Sequence, residues 1–198
     1  MLAQYDLFTT NPGTSGYRLN YMEIFNWGTF NKRVYRISPG GNNSLLTGAN
    51  ASGKSTLIDA LLTLLVPAKK DRFYNQSSGN ERKGDRTEET YVLGNYGNIQ
   101  AEGETSTKTQ QLRDKRTYCV LLASFTNNHN QVVTLFQVRW FVNGELKCSY
   151  GISSKALTIK VDFSGFNGSK GDWKKTLEKH YNDNVPKKQI EFFDTIKD

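Results

Sequence analysis

Three kinds of hydrophobic run alternate along the chain. In the first, apolar and polar residues trade places with a period of two, as a strand with one buried face requires. Tyr17 to Phe25 alternates in this way over much of its length, and Arg33 to Ile37 repeats the pattern. In the second, the run is short and bounded by turn residues. Asn43-Ser44-Leu45-Leu46-Thr47, after a Pro39-Gly40-Gly41 turn, reads as a short buried strand. In the third, the spacing is helical. Thr56 to Val66 reads as a helix, and Pro67 stops it because proline cannot continue the hydrogen-bond ladder.

The second half of the chain predicts an antiparallel meander over about 117–163. Thr117 to Thr126 is a strand, Asn127 to Asn130 a turn, and Gln131 to Val142 a second strand. Asn143-Gly144 is the strongest hairpin signal, because a type I′ turn needs positive φ at both central residues. A third strand starts at Glu145, and Ala156 to Phe163 reads as a fourth. Beyond it, Trp173, Leu177 and Tyr181 fall at helical spacing, and Ile190, Phe193 and Ile196 predict a final helical segment.

The polar stretches set the organisation. Residues 1–16 read as a loose N-terminal arm and 17–198 as one unit. A polar insertion over about 67–116 carries flexible-looking stretches at Ser77 to Asn80 and Gly103 to Thr107, interrupted by an ordered island from Tyr91 to Gly97. So long an insertion inside a domain is usually functional or disordered.

One stretch changes the picture from fold to chemistry. Gly48-Ala49-Asn50-Ala51-Ser52-Gly53-Lys54-Ser55 spells G-x-x-x-x-G-K-S, between the expected strand and the expected helix. In such a P-loop the backbone N–H groups wrap a chain of phosphates. The lysine reaches the terminal phosphates, and the serine hydroxyl takes a place on Mg²⁺. The helix that follows aims its N-terminal dipole at the same anion.

Charge adds a second theme. The chain has 26 Lys and Arg against 19 Asp and Glu, a net charge of +7, which suits a polyanionic partner. The basic residues cluster at Lys69, Lys70, Arg72, Arg82, Lys83 and Arg86, at Lys108, Arg113, Lys115 and Arg116, and at Lys170, Lys174, Lys175 and Lys179. Ordinary solvated surface is the competing reading of each. No apolar run reaches the length of a membrane span, and the N-terminus has no signal-peptide pattern. Cys119 and Cys148 lack metal-ligand spacing and read as small buried hydrophobes. These features predict a cytoplasmic protein with no membrane partner.

Several expected catalytic parts are not found. No apolar strand ends in the acidic pair that an NTPase uses to hold Mg²⁺ and activate water. Asp162 to Gly165 matches D-x-x-G, but the Asn31-Lys32 pair precedes the P-loop and lacks the aspartate a GTPase needs to read its base. His129 and His180 read as surface residues. No catalytic residue is identified.

The order of Asn26-Trp27-Gly28-Thr29-Phe30 followed by Leu45 to Ala60 resembles the N-terminal half of an SMC-type ABC ATPase head. With Leu64-Leu65-Val66-Pro67 and Tyr91 to Gly97, it is similar more narrowly to the JetC family, the SMC-like subunits of Wadjet plasmid-defence complexes, related to the MukB and MksB condensins. The resemblance covers about 17–142. It implies an α/β fold: the N-terminal lobe of a P-loop NTPase head, carrying the antiparallel meander and incomplete by itself. The acidic strand and the signature motif would lie on a returning half reached through a coiled coil. Two departures stand out. Ala51 occupies a position where the family usually has glycine, and Gln100, Gln131 and Gln137 are poor matches to its Q-loop glutamine.

Carried over residue by residue, the resemblance implies ATP and Mg²⁺ as cofactors, bound by Gly48, Ala49, Asn50, Ala51, Ser52, Gly53, Lys54, Ser55 and Thr56. The amides from Ala51 to Ser55 would cradle phosphates, Lys54 would bridge the terminal ones, Ser55 would ligate Mg²⁺, and Thr56 would reach the first phosphate. Trp27 to Thr29 would lie beside the nucleotide, with core packing as the competing role for Trp27. The implied partners are DNA bound without sequence preference, a second SMC head, kleisin and winged-helix type subunits, and a nuclease subunit. The implied activity is ATP hydrolysis once the head is completed and dimerised. Two other readings stand beside it: another AAA- or ABC-like ATPase of DNA repair, and a non-hydrolysing nucleotide-gated interaction module.

Overall fold

A computed structural model describes residues 16–66, 68–72, 74, 86–100, 107–166 and 172–195. In chain order its elements are β1 (Arg18–Trp27), β2 (Phe30–Ile37), α1 (Lys54–Leu65), a single 3-10 turn (Lys69–Asp71), α2 (Glu88–Leu93), β3 (Asn95–Gln100), β4 (Thr107–Gln111), β5 (Tyr118–Thr126), β6 (Val132–Val142), β7 (Glu145–Ser153), α3 (Ile159–Asp162), α4 (Asp172–Asn182) and β8 (Ile190–Phe193). Six strands form one sheet in the order β2-β1-β5-β6-β7-β8, and each neighbouring pair is antiparallel. β3 and β4 make a separate two-stranded ribbon.

The sheet is covered on both faces, an α/β arrangement, and the alternation of β5 shows how. Cys119, Leu121 and Ala123 face α1 and α2, where they meet Met22, Ile24, Leu57, Ala60 and Leu64. Val120 and Leu122 face the other way, into a second core with Phe136, Val138, Phe163 and Leu177. Each such buried Leu contributes about 1.5–3 kcal/mol relative to exposure. A bulge between Phe25 and Trp27, with Asn26 at φ 54°, shifts the register of β1. The shift sends Trp27 into the α1 side, since a one-residue slip exchanges faces. Asn26 fixes the bulge by accepting from Lys32 N–H at 2.8 Å and donating to the Tyr118 carbonyl at 3.0 Å.

The meander forms as its pattern predicts. Asn143 and Gly144 both take positive φ, 51° and 81°, as the type I′ hairpin requires. The helix after the P-loop forms from Lys54, two residues earlier than its apolar spacing begins. Pro67, expected to stop it, lies outside the described residues. So do Ser77 to Asn80, residues 103–106, Ile196 and all but the last residue of the N-terminal arm. The insertion holds more order than its polarity predicts, since α2, β3 and β4 all lie within it.

Three expected elements differ. Asn43 to Thr47 is neither a strand nor buried. Leu45 is 88% exposed, because within the described chain no strand lies beside this segment to pair with it. Ala156 to Phe163 is not a fourth meander strand but contains α3. Its first turn is bonded at both ends, Ile159 N–H to Glu23 at 2.7 Å and Thr158 N–H to Asp162 at 2.6 Å. The open edge of β7 is taken instead by Ile190 to Phe193, expected as helix and found as β8. The true period there is two: Ile190 is buried and Phe192 packs on the same core, while Phe193 is exposed.

Candidate phosphate-binding site

The loop from Gly48 to Gly53 delivers the chain to the start of α1. Gly53 caps the helix at φ 91°, with no side-chain cap and no acidic residue in the first turn. A helix end left in this form offers its amides and its positive dipole end to an anion. Ala51 sits in the left-handed region at φ 62°, and a turn closes from Ser52 N–H to the Ala49 carbonyl at 3.2 Å. Gly53 is favoured by its left-handed φ, and two glycines of the loop lie close to neighbours. A Cβ on Gly48 would come within 2.7 Å of Ser52 Oγ, and one on Gly53 within 3.0 Å of the Phe30 ring.

All nine predicted site residues gather at this one place. Gly48 to Ser52 are exposed, and Gly53, Lys54, Ser55 and Thr56 are half-buried in or beside the first helical turn. Lys54 turns back on the loop, donating from Nζ to the carbonyls of Gly48 at 2.6 Å and Ala49 at 2.7 Å. The residue types fit a polyphosphate: a mobile ammonium, a hydroxyl on the first turn, and no carboxylate there to repel the anion. Among the described residues no group of three or more His, Cys, Asp or Glu is placed to hold a metal ion. Ser55, on the first helical turn, is the hydroxyl that would take a place on Mg²⁺ if the ion came with a phosphate chain.

The neighbouring turn divides the roles expected of Trp27 to Thr29. Trp27 is fully buried and stacks on Tyr91 at 4.6 Å with the rings nearly parallel, so its role is packing. Thr29 is exposed and lies by the loop, its hydroxyl 3.7 Å from a Cβ built on Gly53. Gly28 presses on Thr56, whose methyl would be 2.5 Å from a Cβ at position 28.

Residues to which the sequence assigns no site role hold this arrangement. Tyr91 donates its hydroxyl to the buried carboxylate of Asp59 on α1. Burial, then the bond to Asp59, raises the phenol above its ordinary range. Arg113 donates to the carbonyls of Gly28, Phe30, Tyr91 and Val92. Glu88 receives ion pairs from Arg72, Lys69 and the wholly buried Arg139. Gln137 donates to the Thr63 carbonyl at 2.9 Å, latching the end of α1 to β6, which is a structural role and not that of a Q-loop. An arginine inside the apolar run of β6 was the one visible signal of the Glu88 network.

Other sequence candidates settle elsewhere. Arg72 and Arg113, counted among the basic clusters, are buried and bonded within the protein, so they are not solvent-facing charge. Asp162 of the D-x-x-G match accepts from Thr158 N–H and the Tyr181 hydroxyl, at the ends of α3 and α4. His129 and His180 are exposed. Cys119 is fully buried, whereas Cys148, expected to be buried too, is half-buried. Beside the loop an open groove is lined by Leu19, Ile37, Leu45, Leu46, Ile58 and Leu61.

A family model described as the P-loop containing region of AAA domain matches residues 19–81, less than half of the chain. It spans β1, β2, the loop and α1, the segment whose geometry has just been described. The match supports a P-loop NTPase-like region and nucleotide binding. The chain has no match among curated proteins. Among the described residues no helix is long and apolar enough to cross a membrane.

Proposed function

We propose that this chain is the ATP-binding half of an SMC-like motor head that acts on DNA, of the JetC kind, completed by a second stretch of polypeptide. The observation that carries this reading is the unfinished surface beside the P-loop. Asn43 to Thr47 leads into the loop yet pairs with no strand among the described residues, and Leu45 is 88% exposed. Ile58 and Leu65 on α1 are 46% and 47% exposed. Leu45, Leu46 and Ile58 line one open groove, and contiguous exposed apolar groups are the ordinary mark of an interaction surface. A strand laid along Asn43 to Thr47 would satisfy its backbone and cover these side chains. The returning half of the head would supply it, together with the acidic group that positions water. Loop extrusion and plasmid defence, with the kleisin, winged-helix and nuclease subunits, belong to the completed assembly.

The test is to measure ATP–Mg²⁺ binding and turnover by this chain alone and with the returning half. Binding without steady turnover, and turnover once the half is added, supports the reading. Steady turnover by the chain alone, abolished by Lys54→Ala, overturns the half-head. Leu45→Asp adds a discriminating arm: it leaves the isolated fold intact and weakens association with the added half.

A further inference from the structure

We infer that Arg113 is a positioning residue for the phosphate loop: it fixes the Gly28 to Phe30 turn against the start of α1 and so couples α2 and the β3–β4 ribbon to nucleotide occupancy. The inference rests on the nucleotide-binding reading above. Arg113 is buried, and its guanidinium spans two elements at once. On one side Nη2 donates to the Gly28 carbonyl at 2.8 Å, and Nη1 to the Phe30 carbonyl and Asn31 Oδ1, each at 3.2 Å. On the other side Nη2 and Nε donate to the carbonyls of Tyr91 at 2.9 Å and Val92 at 2.7 Å, at the end of α2. Its own backbone N–H continues the link to the Leu93 carbonyl at 3.0 Å.

The turn it holds also packs against the start of α1. Its far side is the nucleotide loop: Gly28 meets Thr56, and Thr29 and Phe30 meet Gly53. Any shift of Phe30 or Gly28 is therefore felt at the helix N-terminus. Close approach is built in on the Arg113 side as well, since a Cβ on Gly94 would lie 2.6 Å from Nη2 and 2.8 Å from the Gly28 carbonyl. β3 begins at the next residue, Asn95, so the ribbon is tied directly to this contact.

The other deeply buried arginines, Arg72 and Arg139, both pair with Glu88. Arg113 pairs with no carboxylate among the described residues; carbonyl dipoles alone balance it. Packing alone gives no reason to bury a cation so, and an apolar residue could fill the space but could not hold carbonyls of two elements. Lysine could keep the charge but not the planar fork.

The experiment compares wild type, Lys54→Ala and Arg113→Lys in the full chain, using labelled ATP with Mg²⁺. Arg113→Lys is expected to weaken binding about tenfold while keeping the fold. In wild type, ATP should slow amide exchange at Gly28 and Arg113 as well as in the loop. Arg113→Lys should lose the remote slowing, a ligand-dependent readout that a purely structural role would not move. Wild-type affinity in a folded Arg113→Lys protein overturns the inference. So does wild-type exchange that changes within residues 48–56 alone, which decides the matter even if the variant fails to fold. If wild type binds ATP and Lys54→Ala does not, but exchange at Gly28 and Arg113 is unmoved, the coupling fails and the nucleotide reading stands. Absence of binding by wild type sinks both.

Discussion

Lys54 holds its ammonium nitrogen 2.6 Å from the carbonyl oxygen of Gly48, at the opposite end of the same loop. The contact is solvent-facing, so it adds little to stability, yet it places the one cation of the loop over the path an anion would take. Lys54→Ala is expected to change stability by less than about 1 kcal/mol. The same change should weaken nucleotide binding about 100-fold, because a phosphate site loses its point charge. Titration with labelled ATP beside a thermal melt separates the two effects. Unchanged affinity would count against the phosphate-site assignment.

Glu88 makes stability depend on acid. Burial works to raise its carboxyl, but Arg139, Lys69 and Arg72 outweigh it and hold the group below its ordinary value of 4.5. A carboxylate depressed in the fold stabilises above its unfolded value and loses that contribution as pH falls through the folded one. The melting difference between wild type and Glu88→Gln should therefore be largest near neutrality and close below pH 4.5. Removing this partner takes a counter-charge from the wholly buried Arg139 and from Arg72, a loss of about 3–5 kcal/mol at neutral pH. A gap that is constant with pH would mean that the ion pairs add nothing.

Gly151 lies across from Phe136 in the β6–β7 pair, and a Cβ there would sit 2.0 Å from the ring. The phenyl group is buried and packs edge-on against Phe163 and Phe192. Gly151→Ala should cost about 3 kcal/mol through overpacking. Gly165→Ala, where a Cβ meets nothing within 4 Å, should stay within about 0.5 kcal/mol. Denaturant midpoints of the two variants test the contrast.

Such details show where reading residues in order succeeds and where it stops. β5, β6 and the Asn143-Gly144 hairpin follow from local alternation and turn chemistry, and the P-loop from its motif with a strand expected before it and a helix after it, of which the helix forms and the strand does not. Ala156 to Phe163 alternates as well as any strand, yet contains the helical turn Ile159–Asp162, whose first N–H is accepted by Glu23, 136 residues away. Asn43 to Thr47 has the composition of a buried strand and is exposed, because burial depends on a neighbour and not on the segment itself. The clasp of Arg113 on Gly28 spans 85 residues and carries no local mark. Among basic clusters, burial of Arg72 and Arg113 separates internal ion chemistry from surface charge, which a count of charges cannot do.

That separation narrows where DNA would touch the chain. With Arg72 and Arg113 withdrawn and Lys174 bonded to Asp194, the outward charge of the third cluster among the described residues rests on Lys175 and Lys179, Lys170 lying outside them. They stand four residues apart on α4, neighbours on one helix surface, and Lys187 and Lys188 are exposed just beyond it. No described element has the form of a zinc finger or a helix-turn-helix, so contact would be to phosphates and blind to sequence. Each phosphate neutralised releases counterions, so affinity should fall steeply with salt. Lys175→Glu with Lys179→Glu should weaken binding and lower the salt slope by about 2, one for each lost contact. Filter binding of one duplex by the completed head, from low to physiological salt, reads both quantities. An unchanged slope would make these lysines ordinary solvated surface and move any DNA contact to another part of the assembly.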